Sequence, residues 1–338
     1  MKILVIRNDK LGDFMLAWPA ISLLKQQYTE SVITALVPSY TKPIAQLCPW
    51  IDDIIIDERK GVLNLGKAIK QRHFDASISL FSELRIAAAL WLARVPVRVG
   101  PATKIAQIFL NRRLRQKRSL SLKPEFEYNI DLSKYFIQLN GDTPVDPAQP
   151  PFLTLDTKAT LKNQYISENN IPGNKKLVLI HPGSGGSAVN LSIEQYAQLA
   201  NKIALSTDVH FVITAGPDEI ENARALSDLL PSHSRNVYHS LNGLANFAHF
   251  INIGDLFISG STGPLHIAGA LNIPTAAFYP ARRSATALRW QTLNEKCMRR
   301  SFSPDVYIKS ATTLDIDISK CADDISSFID ELQVAHTS

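Results

Sequence analysis

The sequence predicts an α/β protein made of two doubly wound halves, on three observations. Short runs rich in Val, Ile and Leu alternate with helical patterns along nearly all of the 338 residues. Such alternation is the signature of parallel sheets with helices on both faces. The pattern stops once, at the proline-rich stretch "TPVDPAQPPF" (143–152), and then restarts, as expected on the approach to an interdomain linker. The domains expected are 1–160 and 161–338, with a cleft between them and room for the final helix to pack back on the first.

The elements follow in chain order. "KILVIR" is a continuous apolar strand, "MLAWPAISLLKQQY" the helix after it, and "SVITALV", "DDIIID" and "FDASISL" are further strands, with "LRIAAALWLARV" a helix. In the second half the runs "KLVLI", "VHFVITA", "NVYHS", "DLFISG" and "PTAAFYP" alternate with "IEQYAQLANKIA", "EIENARALSDLL", "LANFAHFINI" and "PLHIAGAL", and "DDISSFIDEL" closes the chain as a helix. Length separates the two kinds: short β-branched runs suit strands, and longer runs with apolar residues three and four apart suit helices.

Composition narrows the class. At 45% hydrophobic content the chain can bury a large core. No stretch approaches the length of about 18 apolar residues that a membrane-spanning helix needs. The opening "MKILVIRNDK" lacks the pattern of a secretory signal. Cys48, Cys297 and Cys321 are scattered and odd in number, which reads as reduced thiols of a cytoplasmic protein. The net charge of +5 is mild, so its distribution carries more information than its size.

Ligands of open α/β sheets bind outside the carboxyl ends of the strands, and three loops there carry the chemistry. In "RNDKLGDF", Gly12 permits a tight turn and Asp13 falls where the next helix begins, as an N-cap or as a functional carboxylate. In "HPGSGGSAVNLSIEQ", Gly183, Ser184, Gly185 and Gly186 allow close backbone approach, and Ser192 with Gln195 matches a capping box. Free N–H groups at a helix start attract phosphate without a side-chain cation. The loop has neither a Walker A lysine nor the G-x-G-x-x-G spacing. In "ISGSTGPLHIAGALNIP", Ser261 and Thr262 are good N-caps, Gly263 allows close approach, Pro264 suits the first turn, and His266 lies near any anion bound there. Two such helix starts in one half suggest a diphosphate, or a phosphate plus ribose.

Taken together, "IRNDKLGDFMLAWPAISLL", "ARVPVRVG", "IHPGSGGS", "TAGPDEIENA" and "DLFISGSTGPLHIAGALNIPTAAFYP" resemble, in order and spacing, the bacterial heptosyltransferases of lipopolysaccharide core assembly, glycosyltransferase family 9. The resemblance covers nearly the whole chain. It implies the GT-B architecture, two Rossmann-like doubly wound domains facing a central cleft, with the acceptor on the amino-terminal domain and the nucleotide sugar on the other. It implies an inverting glycosyltransferase that needs no metal and no cofactor beyond its nucleotide diphosphate sugar, an ADP-linked one in the family. Asp13 matches the family's proposed general base, which the chemistry requires because an acceptor hydroxyl must lose its proton as it attacks. Glu219 matches a nucleoside-contacting glutamate, and Thr262, Gly263 and His266 match the donor-phosphate loop. The D-x-D at Asp315 to Asp317 comes late in the chain and reads as surface.

Two positions depart from the family pattern. Val189 stands where a lysine is expected, with Leu191 in place of a tryptophan, and Ser261 replaces a donor-associated aspartate. Arg282 and Arg283, with Arg289 nearby, are candidate replacements for the missing cation near the donor phosphates. From Thr103 to Lys123 the chain holds seven basic residues and no acidic one. That run, with Lys10, nominates Lys10, Arg112, Arg113 and Arg115 for an anionic acceptor at a membrane surface. A single aromatic in the run, Phe109, argues against RNA. The expected protein is therefore a cytoplasmic glycosyltransferase, peripheral to the inner membrane, that acts on a lipopolysaccharide core or related surface glycan. The alternative is a catalytically impaired relative that keeps nucleotide-sugar binding; a sugar epimerase on the same plan fits the amino-terminal stretch less well.

Overall fold

The computed structural model describes residues 1–183, 185, 189–308 and 311–337. The chain divides into two compact units, Met1–Leu153 and Thr154–Ser338. The first carries β1 (Lys2–Ile6), β2 (Val32–Val37), β3 (Asp53–Ile56), β4 (Ala76–Ser79), β5 (Val97–Pro101) and β6 (Arg112–Leu114) in one parallel sheet of order β3-β2-β1-β4-β5-β6. The second carries β7 (Lys176–His181), β8 (Val209–Ala215), β9 (Arg235–His239), β10 (Leu256–Gly260), β11 (Thr275–Phe278) and β12 (Arg299–Phe302), also parallel, in the order β12-β11-β10-β7-β8-β9. In each sheet the first strand is flanked by strands reached in opposite directions, so a topological switch point lies beside β1 and another beside β7.

Period-two alternation explains the apolar strands. Val178 and Ile180, Phe211 and Ile213, and Leu256 and Ile258 face one core with the helices Ile193–Ser206, Ile220–Asp228 and Ile318–Thr337. The intervening Leu177, Leu179, Val212 and Phe257 are equally buried and therefore point to the opposite face of the sheet. In the first unit Leu4, Ile6 and Leu36 pack with residues of the helices Val62–Lys70 and Leu84–Leu92. The helices Trp18–Gln27 and Glu125–Leu139 pack on each other.

Two expectations, for the first helix and for Asp13 as its cap, need correction. The first predicted helix is two, Leu11–Met15 and Trp18–Gln27, because Pro19 occupies the opening turn of the second, where its missing N–H costs nothing. Asp13 is not an N-cap; that position belongs to Lys10, and no side chain caps the helix. The first unit ends at Leu153, and the helix Lys158–Glu168 lies in the second. The final helix packs against Ile193–Ser206 of its own unit. The Ser192–Gln195 capping box is present. Asp315 and Asp317 are exposed, and Asp317 accepts the backbone N–H groups of Ser319 and Lys320 at the start of the last helix. Among the described residues no helix is long and apolar enough to cross a membrane.

Candidate functional site

In the first unit the site grows from the residue after β1. Arg7 is 3% exposed, a buried charge that needs partners to persist. Its Nε donates to Asp9 at 2.9 Å and its Nη1 to Glu125 at 3.0 Å, Asn129 at 3.2 Å and the Leu80 carbonyl at 3.3 Å. Its Nη2 donates to Oδ1 of Asp13. Burial opposes the charge on Arg7, but Asp9, Asp13 and Glu125 outweigh it and its pKa rises. Arg118 joins from the far side, donating to Glu125 at 2.7 Å and to Leu80 at 3.0 Å. Beside this network Asn8 donates to Asp57 at 2.9 Å and Glu83 at 2.7 Å, and Arg85 bridges the same two carboxylates.

Asp13 therefore stands in the first turn of a short helix with one oxygen held by a buried guanidinium, and among the described residues its Oδ2 enters no hydrogen bond. Asp9 behaves differently. Burial pushes its carboxyl up to about 7, with Arg7 opposing and the charge of Asp13 adding to the rise.

The sign of the resulting pH effect is fixed. The folded chain keeps a proton on Asp9 that an unfolded chain releases near the ordinary carboxylate value of about 4, so this group's contribution to stability is complete below that value and is lost as pH rises through about 7. Urea melts at pH 5 and pH 8 should show the wild type losing stability relative to Asp9→Asn, which cannot titrate. Parallel behaviour of the two proteins would remove Asp9 as the responsible group.

The remaining basic candidates are more dispersed. Lys10 is exposed at the N-cap beside Asp9, and Arg112 and Arg113 are exposed on the edge strand β6. Adjacent strand residues point to opposite faces, so these two arginines cannot serve one ligand from the same side. Arg115 lines a cavity of about 630 Å³ with Lys117, Lys123, Lys134, Tyr128 and Tyr135.

In the second unit the elements meet at the switch point between β7 and β10. His181 ends β7, is buried, and sits 3.0 Å from the Thr214 hydroxyl through Nδ1 and 3.3 Å from Glu219 through Nε2. Oε1 of Glu219 accepts the Gly185 N–H at 2.9 Å and Oε2 the Gly216 N–H at 3.2 Å. The hydrogen bond from His181, then its charge and these amides, lower the Glu219 carboxyl to about 2 against the opposing effect of burial. A Cβ at Gly183 would overlap the Glu219 carboxyl group, so any side chain there would have to displace that carboxyl from His181 and the glycine amides. The Gly185 amide, read from the sequence as a phosphate donor, is thus given to a carboxylate of the chain itself. Ser184 lies outside the described residues.

The loop after β10 has the opposite character. Thr262 is the N-cap of the helix Gly263–Ala270, but its hydroxyl pairs with Ser259 at 3.0 Å and caps no helical N–H. Among the described residues no side-chain cap bond is made at that helix start, and backbone N–H groups there favour an anion. Ser261 and Gly263 are half-buried at the same turn, and His266 is buried in its first turns. Asn190 ties the two loops together: it donates to the Pro182 carbonyl at 3.1 Å, accepts from Tyr196 at 2.8 Å, and leaves no room for a side chain at Gly260. Arg282 and Arg283 are both exposed in the turn after β11. Arg289 is buried with its guanidinium 5.6 Å from the Trp290 ring. Val189 packs against the hydrophobic core, so a lysine there would carry its charge out of apolar surroundings rather than simply restore a missing cation. Among the described residues no group of three or more His, Cys, Asp or Glu is placed to hold a metal ion.

Sequence reasoning missed Arg7, Asp9, Arg118, Glu125, His181 and Asn190. Arg7 and His181 did leave a signal, each a polar residue closing a continuous apolar strand. Asn190 left none.

The sequence model of glycosyltransferase family 9 (heptosyltransferase) matches residues 62–306. The chain is 44% identical over 336 residues to a Haemophilus influenzae protein described as a glycosyltransferase without a named donor or acceptor, covering 97% of this chain and 96% of that one. It is 23% identical over 294 residues to lipopolysaccharide heptosyltransferase 2 of Salmonella typhimurium, covering 82% of each. In three dimensions it is similar to the ADP-heptose lipopolysaccharide heptosyltransferase II of E. coli, with a TM-score of 0.78 at 18% identity over 98% of this chain and 100% of that one.

Proposed function

The chain belongs to glycosyltransferase family 9 and has its GT-B fold, and from that membership we propose that it transfers heptose or a related sugar from an ADP-linked donor to a lipopolysaccharide core or related surface glycan. The observation that carries the reading is Asp13, oriented through one oxygen by the buried Arg7 while the other remains available. In the reaction Asp13 takes the proton of an acceptor hydroxyl, whose oxygen attacks the anomeric carbon. The bond from that carbon to the diphosphate oxygen breaks on the opposite face, and configuration inverts. The leaving diphosphate is received by the uncapped amides of Gly263–Ala270, with His266 and Thr262 beside them, and by one of the exposed arginines. Glu219, held ionised by His181 and two glycine amides, is suited to accept ribose hydroxyls instead of facing a phosphate. Support for the sugar and acceptor comes from the relatives named for lipopolysaccharide heptosyl transfer.

A transfer assay with the purified protein, a panel of nucleotide sugars and a lipopolysaccharide core acceptor tests the reading. Turnover with the ADP-linked heptose supports it. Tight binding of the donor without transfer or hydrolysis would favour the impaired relative, for which Val189 and Ser261 are the motivating departures.

The arginine pair gives a separate expectation. Arg282→Ala and Arg283→Ala should not behave alike: one should weaken ADP binding by roughly 1.5 to 3 kcal/mol, the scale of a charged hydrogen bond, and the other should be nearly silent. Calorimetric titration reads both. Normal binding by both variants would leave the diphosphate to the helix amides alone.

A further inference from the structure

We propose that the surface formed by the end of the helix Leu84–Leu92 and the turn Ile105–Phe109 seats the protein on an anionic lipid bilayer. The inference deepens the proposed function and rests on its lipid-borne acceptor. Ala106 and Leu110 of the turn pack on Ala87 in a small separate core, with Phe109 against it. That anchoring turns Ile105 and Ile108 outward, each 64% exposed. Trp91, 52% exposed, lies one helical turn beyond Ala87 and meets Phe109 with ring centroids 5.9 Å apart. Exposed isoleucines beside a tryptophan are the side chains that enter the boundary between headgroups and acyl chains.

The stretch of chain that carries them has charge of one sign. From Leu84 to Pro124 the chain has ten basic residues and no acidic one. Arg85, Arg98 and Arg118 are committed to bonds inside the unit. Arg94, Lys104, Arg112, Arg113, Arg115 and Lys117 enter no ion pair among the described residues. Arg112 and Arg113 point to opposite faces of β6, so one of them belongs to this cationic rim, and anionic headgroups answer a rim of single sign where a protein partner of mixed charge would not. Position agrees with purpose. The Lys104 ammonium and the Arg7 guanidinium each lie 5.9 Å from the Phe81 ring, so the rim adjoins the network that holds Asp13.

Flotation with vesicles tests the proposal. The wild type should bind vesicles of phosphatidylcholine with phosphatidylglycerol, should ignore phosphatidylcholine alone, and should be released by high salt. Ile105→Ser/Ile108→Ser should lower the bound fraction roughly tenfold while keeping its circular dichroism spectrum and its transfer to a delipidated acceptor. Ile108→Glu, tested in parallel, should do the same. Failure of the wild type to bind, or equal binding by the serine variant, would overturn the docking surface. A dimer in solution that the serine variant dissociates, without lipid binding, would assign the face to a second copy and overturn it too. Transfer to the soluble acceptor without vesicle binding would sink this inference alone, and vesicle binding without any transfer would sink the proposed function alone.

Discussion

Asp13→Asn should lower transfer by about 10²- to 10⁴-fold, the usual cost of removing a general base, while ADP affinity stays near that of the wild type. The substitution isolates the proton-accepting role because the amide oxygen can still receive Nη2 of Arg7, so orientation and packing change little. What disappears is the oxygen that can take a proton. The donor groups proposed here belong to the other compact unit, which is why binding of the nucleotide should be spared. Single-turnover kinetics together with calorimetric titration of ADP separate the two quantities. Near-normal turnover would end the base assignment; loss of ADP affinity would move Asp13 into donor binding.

Arg7→Met should have the larger effect on the fold. Methionine preserves much of the side-chain length, but it leaves Asp9, Asp13 and Glu125 without the guanidinium they share. Removing one partner of a buried ion network typically costs roughly 3–5 kcal/mol, because the surviving charges are stranded. The cost should be lower in Arg7→Met/Asp9→Asn, where one of those carboxylates is gone. Urea melts of the single and double variants measure both. An unaffected midpoint for Arg7→Met would mean that Arg118 and solvent satisfy the carboxylates unaided. Transfer should be lost along with the clamp on Asp13, even at temperatures where the variant remains folded.

The strands with both faces covered were legible because burial on two sides demands unbroken apolar runs, as in "KILVIR" and "VHFVITA". β6 was not, since its residues Arg112–Leu114 sit at an edge where side chains are exposed and carry no apolar pattern. Local signals also located the strand-end loops and the Ser192–Gln195 cap. Contacts between distant segments were out of reach: Glu125 meets Arg7 across 118 positions, and no periodicity encodes such a pairing. The glycine loop shows the same limit from the other side. Its glycines signalled close approach correctly, but the approaching group is the Glu219 carboxylate, which the sequence placed with the nucleoside.

The network around Arg7 sets three carboxylates, Asp9, Asp13 and Glu125, against two guanidiniums, Arg7 and Arg118. Burial favours a proton on Asp9, and its partial retention near neutrality offsets that inequality in part. If the acceptor is the acidic glycan proposed above, its entry beside Asp13 adds negative charge and raises the proton affinity of Asp9 further. Capture of such an acceptor should then be coupled to proton uptake from the medium. Its calorimetric heat will vary with the ionisation enthalpy of the buffer, and its affinity will weaken as the solution becomes alkaline.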